Sequence, residues 1–346
     1  MVIGNRPCLR HHGFPTSVPV FATSVPVFAC HFPPGGVMQV ADEKAVNELK
    51  VNLENLPELP PDSHSFFLVA ERWLTLPGGV RVSVREAGDG SPVLLLAGVN
   101  YGAYSFRYLF GARERFRLVL VDPFGPEGLR LDAATGMDTL QDFCAALEPA
   151  LDIGGALWVA HGEFALAALV AGQRHQVNMR ALVAISPPSP PTRWQRLQEK
   201  LSGQSGRLER LARRLVNDPF RAAAELVEYA DVAVISRQEL RWLARRLSTL
   251  PAARVMAGQL LALAHPDFTR PLEQLLEQTG GNTGSFPAPL SILAGAAGNP
   301  AVQEFARTLN RAFTGSELLL VENCGDAVQA EQPGRVLEVL DSLTGS

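Results

Sequence analysis

The chain is poor in the features that announce most chemistries. Its four cysteines, Cys8, Cys30, Cys144 and Cys324, show no C-x-x-C spacing, so neither a metal cluster nor a disulfide framework is supported. No apolar run reaches membrane-spanning length, because Gly, Pro or charge breaks each strand-like segment within about ten residues. Gly78-Gly79 and Gly280-Gly281 are isolated pairs, without the strand-to-helix placement or spacing of a phosphate loop. A net charge of −4 and a pI near 6.0 give no global attraction to nucleic acid or to an anionic membrane. These absences predict a cytoplasmic protein with no metal and no cofactor, whose partner is a small-molecule ligand or another protein. Nothing in the pattern fixes an oligomeric state.

Acidic residues are missing before Asp42, and the same stretch carries a tandem repeat, Thr16 to Ala22 followed by Thr23 to Ala29. An acid-poor start is a bias shared with targeting peptides. The proline in each repeat, however, breaks any continuous amphipathic helix or central strand. Residues 1–37 are therefore expected to be a disordered extension, with the working protein starting at or near Met38. Mass spectrometry of the native N-terminus checks this; peptides from before Met38 would contradict it.

What remains is ample for folding: 346 residues, 47% hydrophobic and 19% charged, enough for one large α/β domain with an inserted cap. A short helix is predicted from Asp42 to Leu53, ended by the Pro57 to Pro61 stretch. Glu71 to Leu76 and Val80 to Glu86 alternate about Pro77-Gly78-Gly79 and read as a hairpin. Strands near 93–96, 118–122, 156–160, 181–186, 290–295 and 317–322 alternate with helical segments, which implies a mostly parallel sheet flanked by helices. Between Pro187 and Pro287 the pattern turns to helices alone: Trp194–Leu201, Arg207–Val216, Phe220–Val234, Gln238–Leu247 and Ala252–Leu263. The expected organisation is a core over 38–187, a helical cap over 188–287 and the rest of the core over 288–346. From Arg193 to Arg254 the cap carries thirteen Lys/Arg against seven Asp/Glu. That excess suits an acidic ligand or partner patch, but a solvated helix face with i,i+4 pairs is the more ordinary reading.

Five landmarks carry a resemblance. Val93 to Gly98 precedes a loop; Leu118 to Gly125 is a strand with an Asp-x-x-Gly turn; Val159-Ala160-His161-Gly162-Glu163-Phe164-Ala165 is a strand, a sharp elbow and an Ala/Leu-rich helix. Leu290 to Pro300 is a strand and loop, and Glu322-Asn323-Cys324-Gly325-Asp326 leads to Glu331-Gln332-Pro333. In this order, over roughly Trp73 to Leu343, they resemble the α/β-hydrolase superfamily, whose elbow signature is G-x-S-x-G. The resemblance implies an α/β-hydrolase fold. It does not imply serine hydrolysis, because the serine aligns with Gly162, the acid with Gly298 or Asn299, and the histidine with Asp326. A triad needs a nucleophile, a base and a group to orient the base.

Three readings follow. In the first, the chain is a catalytically degenerate member that binds a small molecule or a protein through Gly98, Val99, Asn100, Tyr101, Gly162 and Glu163, the backbone N–H of Glu163 standing where the family keeps an oxyanion donor. In the second, Glu163 and Asp326 are two carboxylates at one cavity that perform acid/base catalysis in a hydrolase or lyase; Glu163 equally suits a plain helix-start charge. In the third, a misaligned serine, Ser186 or Ser189, acts without an elbow. His161 reads as packing beneath the turn, and Cys324 as a displaced thiol nucleophile or an inert buried cysteine.

Overall fold

The computed structural model describes residues 65–345 apart from 101, 125–127, 132–135, 189–205, 227–228, 231–236, 266–267, 269 and 279–283. The extension over 1–37 and the helices expected at 42–53 and 194–201 lie outside the described residues.

A four-residue helix, α1 (Ser65–Leu68), leads into the hairpin strands β1 (Glu71–Thr75) and β2 (Arg81–Ala87), which turn through Pro77–Gly79. They pair antiparallel with Thr75 opposite Arg81. β3 (Ser91–Leu96), β4 (Phe116–Asp122), β5 (Ala156–His161), β6 (Met179–Ile185), β7 (Leu290–Gly295) and β8 (Glu317–Val321) follow. The eight strands lie in the order β1-β2-β4-β3-β5-β6-β7-β8. From β4 across to β8 every pairing is parallel, and only the β1–β2 and β2–β4 pairings are antiparallel.

Parallel strands read as continuous apolar runs because both faces are covered, and alternate residues feed two separate cores. Leu94, Leu96, Trp158, Ala160, Leu182 and Ala184 enter one core with the helices α2 (Gly136–Leu151) and α3 (Glu163–Gln173). Val93, Leu95, Leu157, Val159, Ala181 and Val183 enter the other. That second face is covered by a 3-10 helix over Ala103–Ala112 and by the C-terminal helix Pro333–Thr344. Through most of α3 every residue is buried, so the alanine-rich sequence has a packing reason: small side chains let the helix lie close on the sheet.

Between β6 and β7 the described residues form the helices α4 (Arg207–Asn217), α5 (Pro219–Leu226), α6 (Arg237–Arg245), α7 (Leu250–Leu263) and α8 (Arg270–Gln278). α8 was not anticipated by the periodicity. Of the helix expected over Phe220–Val234, the part to Leu226 is helical, the N–H of Ala230 goes to the Glu331 carboxylate at 2.9 Å, and residues 227–228 and 231–234 lie outside the described residues. Two further contacts tie this helical segment to strand-end loops. Gln259 bonds both Leu131 N–H and Leu129 C=O after β4, and Arg246 donates to Val99 C=O after β3 at 3.3 Å. The segment thus lies over the C-terminal ends of the parallel strands, where open α/β sheets carry their ligand sites. Its surface arginines are partly paired, Glu209 taking both Arg213 and Arg254. No helix among the described residues is long and apolar enough to cross a membrane.

Candidate functional site

At the end of β5 the chain reverses in one residue. Gly162 N–H still donates to Ile185 C=O as a rung of the sheet, while Gly162 C=O already accepts from Ala165 N–H as the first bond of α3. That transition needs the φ of 64° and ψ of −131° which Gly162 adopts. A Cβ built there meets only Gly98 Cα, at 3.7 Å. The position therefore has room for a side chain, and its glycine is demanded by the backbone alone.

The next residue fills the site. Glu163 is buried, 6% exposed. Its Oε1 accepts the N–H of Val99, and its own backbone N–H also acts on the carboxylate. Val99 in the loop after β3 and the residue after the elbow are the two positions whose N–H groups form the oxyanion hole in the fold the sequence resembles. In this chain both point at the Glu163 carboxylate. Burial dominates its ionisation and pushes the carboxyl from its ordinary 4.5 up to about 7; the two N–H groups and the more distant charge of Arg246 lower it but do not win.

His161 lies fully inside, beneath the elbow. Its Nε2 is 3.1 Å from the Asp326 carbonyl oxygen. A carbonyl can only accept, so Nε2 carries the proton and Nδ1 is a lone-pair acceptor. Burial pushes the ring down to about 4, against that hydrogen bond, which raises it. A neutral imidazole results. Gly98 makes the crowding possible, since a Cβ there would stand 3.0 Å from Glu163 Oε2 and 3.1 Å from His161 Nδ1.

Asp326 is buried too, but its carboxylate faces another loop. It accepts Asn299 N–H at 3.2 Å, and its Oδ1 sits 2.2 Å from where a Cβ of residue 298 would be. Asp326, on the loop where the resemblance places a base, therefore occupies the space that a side chain at 298 would need. Glu163 and Asp326 are thus held by separate loops, with the His161 ring bonded to the main chain of one and beside the other.

The remaining candidates fall into place around this centre. Asn100 is half-buried and its Oδ1 has no hydrogen-bond partner; Tyr101 lies outside the described residues. Cys324 is a buried free thiol pushed up to about 12 by burial, with the Glu331 and Asp326 charges adding to the effect, so it carries no thiolate at neutral pH. Ser186 follows β6 at a φ of 44°, and its buried Oγ makes no hydrogen bond among the described residues, so no base there holds it. Ser189 is outside the described residues. No group of three or more His, Cys, Asp or Glu suited to a metal occurs among the described residues.

One feature of the region escaped sequence reasoning. A cavity of about 480 Å³ opens between the β1–β2–β4 edge and the α6–α7 turn, lined by Trp73, Phe124, Val255 and Met256 among others, with Glu71, Asp122, Arg245 and Arg246 as its charges. Gly98, Gly162, Glu163 and Asp326 are not in its wall. The only signal in the sequence was the basic bias of the helical segment, which did not single out Arg246.

No family model matches the chain, and no curated protein matches it either. Solved structures do match. A haloalkane dehalogenase from Agrobacterium tumefaciens superposes with a TM-score of 0.62 over 80% of this chain and 96% of its own, at 20% identity. An epoxide hydrolase gives 0.61 over 80% and 99%, at 18% identity. An esterase from Exiguobacterium antarcticum gives 0.60 over 80% and 100%, at 16% identity. All are α/β-hydrolase superfamily members, and the chain has the α/β-hydrolase fold. At such identities it is the fold that is shared; chemistry resides in the site.

Proposed function

We propose that this chain is a catalytically degenerate α/β-hydrolase-fold protein that binds a small molecule or a protein partner without hydrolysing it, its helical segment serving as the cap over the pocket. The observation that carries the reading is the placement of Glu163. The two backbone N–H groups that would stabilise an oxyanion hold an internal carboxylate, and the adjoining position has no nucleophile. A cytoplasmic setting agrees with the two free buried thiols, Cys144 and Cys324.

The purified protein is expected to turn over none of a panel of short- and long-chain acyl esters. A Gly162→Ser variant is expected to gain nothing. Serine fits the space, at a backbone cost of about 1–3 kcal/mol, but its oxyanion hole stays plugged and the base position holds Asp326. Loss of a single oxyanion donor already costs roughly 10²–10³ in kcat. A fluorophosphonate probe reads the outcome directly: labelling of G162S would overturn the reading.

A second reading has one observation in its favour. A carboxyl near 7 is matched to proton transfer at neutral pH, so Glu163, with Asp326, would run acid/base chemistry. The separate anchoring of the two carboxylates weighs against it. Ester turnover that disappears in a Glu163→Gln, Asp326→Asn double variant would establish this alternative.

A further inference from the structure

Arg246 is an anomaly in the described structure. It is half-buried at the end of α6, Nη1 donates to Val99 C=O, and Nη2 is buried without any hydrogen-bond partner. Among the described residues no carboxylate stands at ion-pair distance from it, although its charge acts on the buried Glu163 carboxyl. A guanidinium N–H shut away from water and left unpaired is costly, and buried polar groups of this kind are normally satisfied. Arg246 lies in the wall of the 480 Å³ cavity, whose volume is in the range of small-molecule sites, about 300–1,000 Å³.

The other charges of that wall are already engaged or face solvent. Glu71 pairs with Arg85 at 3.5 Å and accepts the Ser83 hydroxyl. Asp122 accepts Phe124 N–H at 3.3 Å. Arg245 is exposed, with no ion-pair partner among the described residues. With Glu71 paired, Arg245 and Arg246 stand against Asp122 alone, a net positive wall, and the surface beside it is aromatic and aliphatic: Trp73, Phe124, Pro251, Val255 and Met256.

We infer that this cavity is a binding site for a small carboxylic acid with an apolar body, the carboxylate taken by Arg246 with Arg245 at the mouth and the body lying on Trp73, Phe124 and Met256. A cationic ligand would find Glu71 already paired with Arg85 and Asp122 outnumbered by two arginines. The inference rests on the binding reading above and names its ligand class. It also gives the site an address separate from the elbow.

The test is calorimetric titration of the full chain with sodium octanoate, octylamine and 1-octanol, three probes of one length and three head groups. Octanoate is expected to bind about tenfold or more tighter than the other two, as one charge-assisted hydrogen bond implies. Arg246→Gln should remove that advantage and leave octanol unchanged, while Arg246→Lys keeps part of it. Met256→Trp, which fills the cavity, should abolish binding of all three; thermal melts confirm that each variant folds. Octanoate binding no tighter than octanol, or unaffected in R246Q, would overturn the assignment. That outcome with esters still untouched leaves the non-catalytic reading standing, whereas ester turnover overturns that reading whatever octanoate does.

Discussion

Glu163→Gln is expected to stabilise the fold above neutral pH, by about 3 kcal/mol relative to the parent, and to have almost no effect near pH 4.5. The carboxyl is raised from 4.5 to about 7 in the folded state. A group raised in this way contributes stability that is fully present below its unfolded value and lost as pH climbs through its folded one. Each unit corresponds to about 1.4 kcal/mol, so the two to three units set the size. Glutamine keeps an acceptor for Val99 N–H but has no proton to lose. His161 works in the opposite direction: held down at about 4 from 6.5, it removes stability as pH falls through the same window. The parent's profile is therefore flattened by two opposing groups, and only the difference between parent and variant isolates Glu163. Urea denaturation at pH 4.5, 6 and 8 measures it. A difference that stays constant across the three would mean that the carboxylate is not held in the hole.

Gly295→Ala is expected to be the most damaging single methyl in this region. Its Cβ would stand 1.9 Å from Gly325 O and 2.2 Å from Cys324 O. Both are backbone atoms, pinned where the loops after β7 and β8 cross, by bonds from Ala296 N–H to Val321 C=O and from Ala297 N–H to Cys324 C=O. A flexible side chain would move aside; these cannot without breaking the crossing. The expected loss is more than about 4 kcal/mol, in the range reserved for core overpacking, or a melting temperature lower by roughly 10 °C. Gly111→Ala is the control, since nothing lies within 4 Å of a Cβ there, and its melt should match the parent's. The same crossing fixes Gly298 and Asp326, so G295A should also disturb the Asp326–Asn299 contact. A melt of G295A within a degree or two of the parent would show that the two loops do not meet as described.

The two variants mark where sequence reading stops. The hairpin about Pro77–Gly79, the six parallel strands and the elbow after His161 were legible, because period-two and period-3.6 patterns and turn glycines act within a few residues of themselves. The helix expected over Phe220–Val234 is described as far as Leu226, and at Ala230 the amide is claimed from a distance, by Glu331, 101 residues away. Glu163 could be placed at the mouth of α3, and even its backbone N–H assigned, yet the direction of its side chain was set by Val99, 64 residues upstream. Whether Asp326 meets Glu163 was left open by the sequence; its carboxylate is seated against Gly298 and Asn299.

By itself, then, the sequence determined the fold, and it put Gly162, Gly298 or Asn299, and Asp326 where the resemblance would align a serine, an acid and a histidine, since burial patterns and residue identities are properties of the chain read in order. Only the tertiary structure decided where these side chains go: the Glu163 carboxyl onto Val99 N–H, the Asp326 carboxylate onto Asn299 N–H beside Gly298, and Arg246 into the wall of a cavity. Those outcomes depend on which loops the sheet brings together at its C-terminal edge, and packing across loops leaves no periodic trace in the chain.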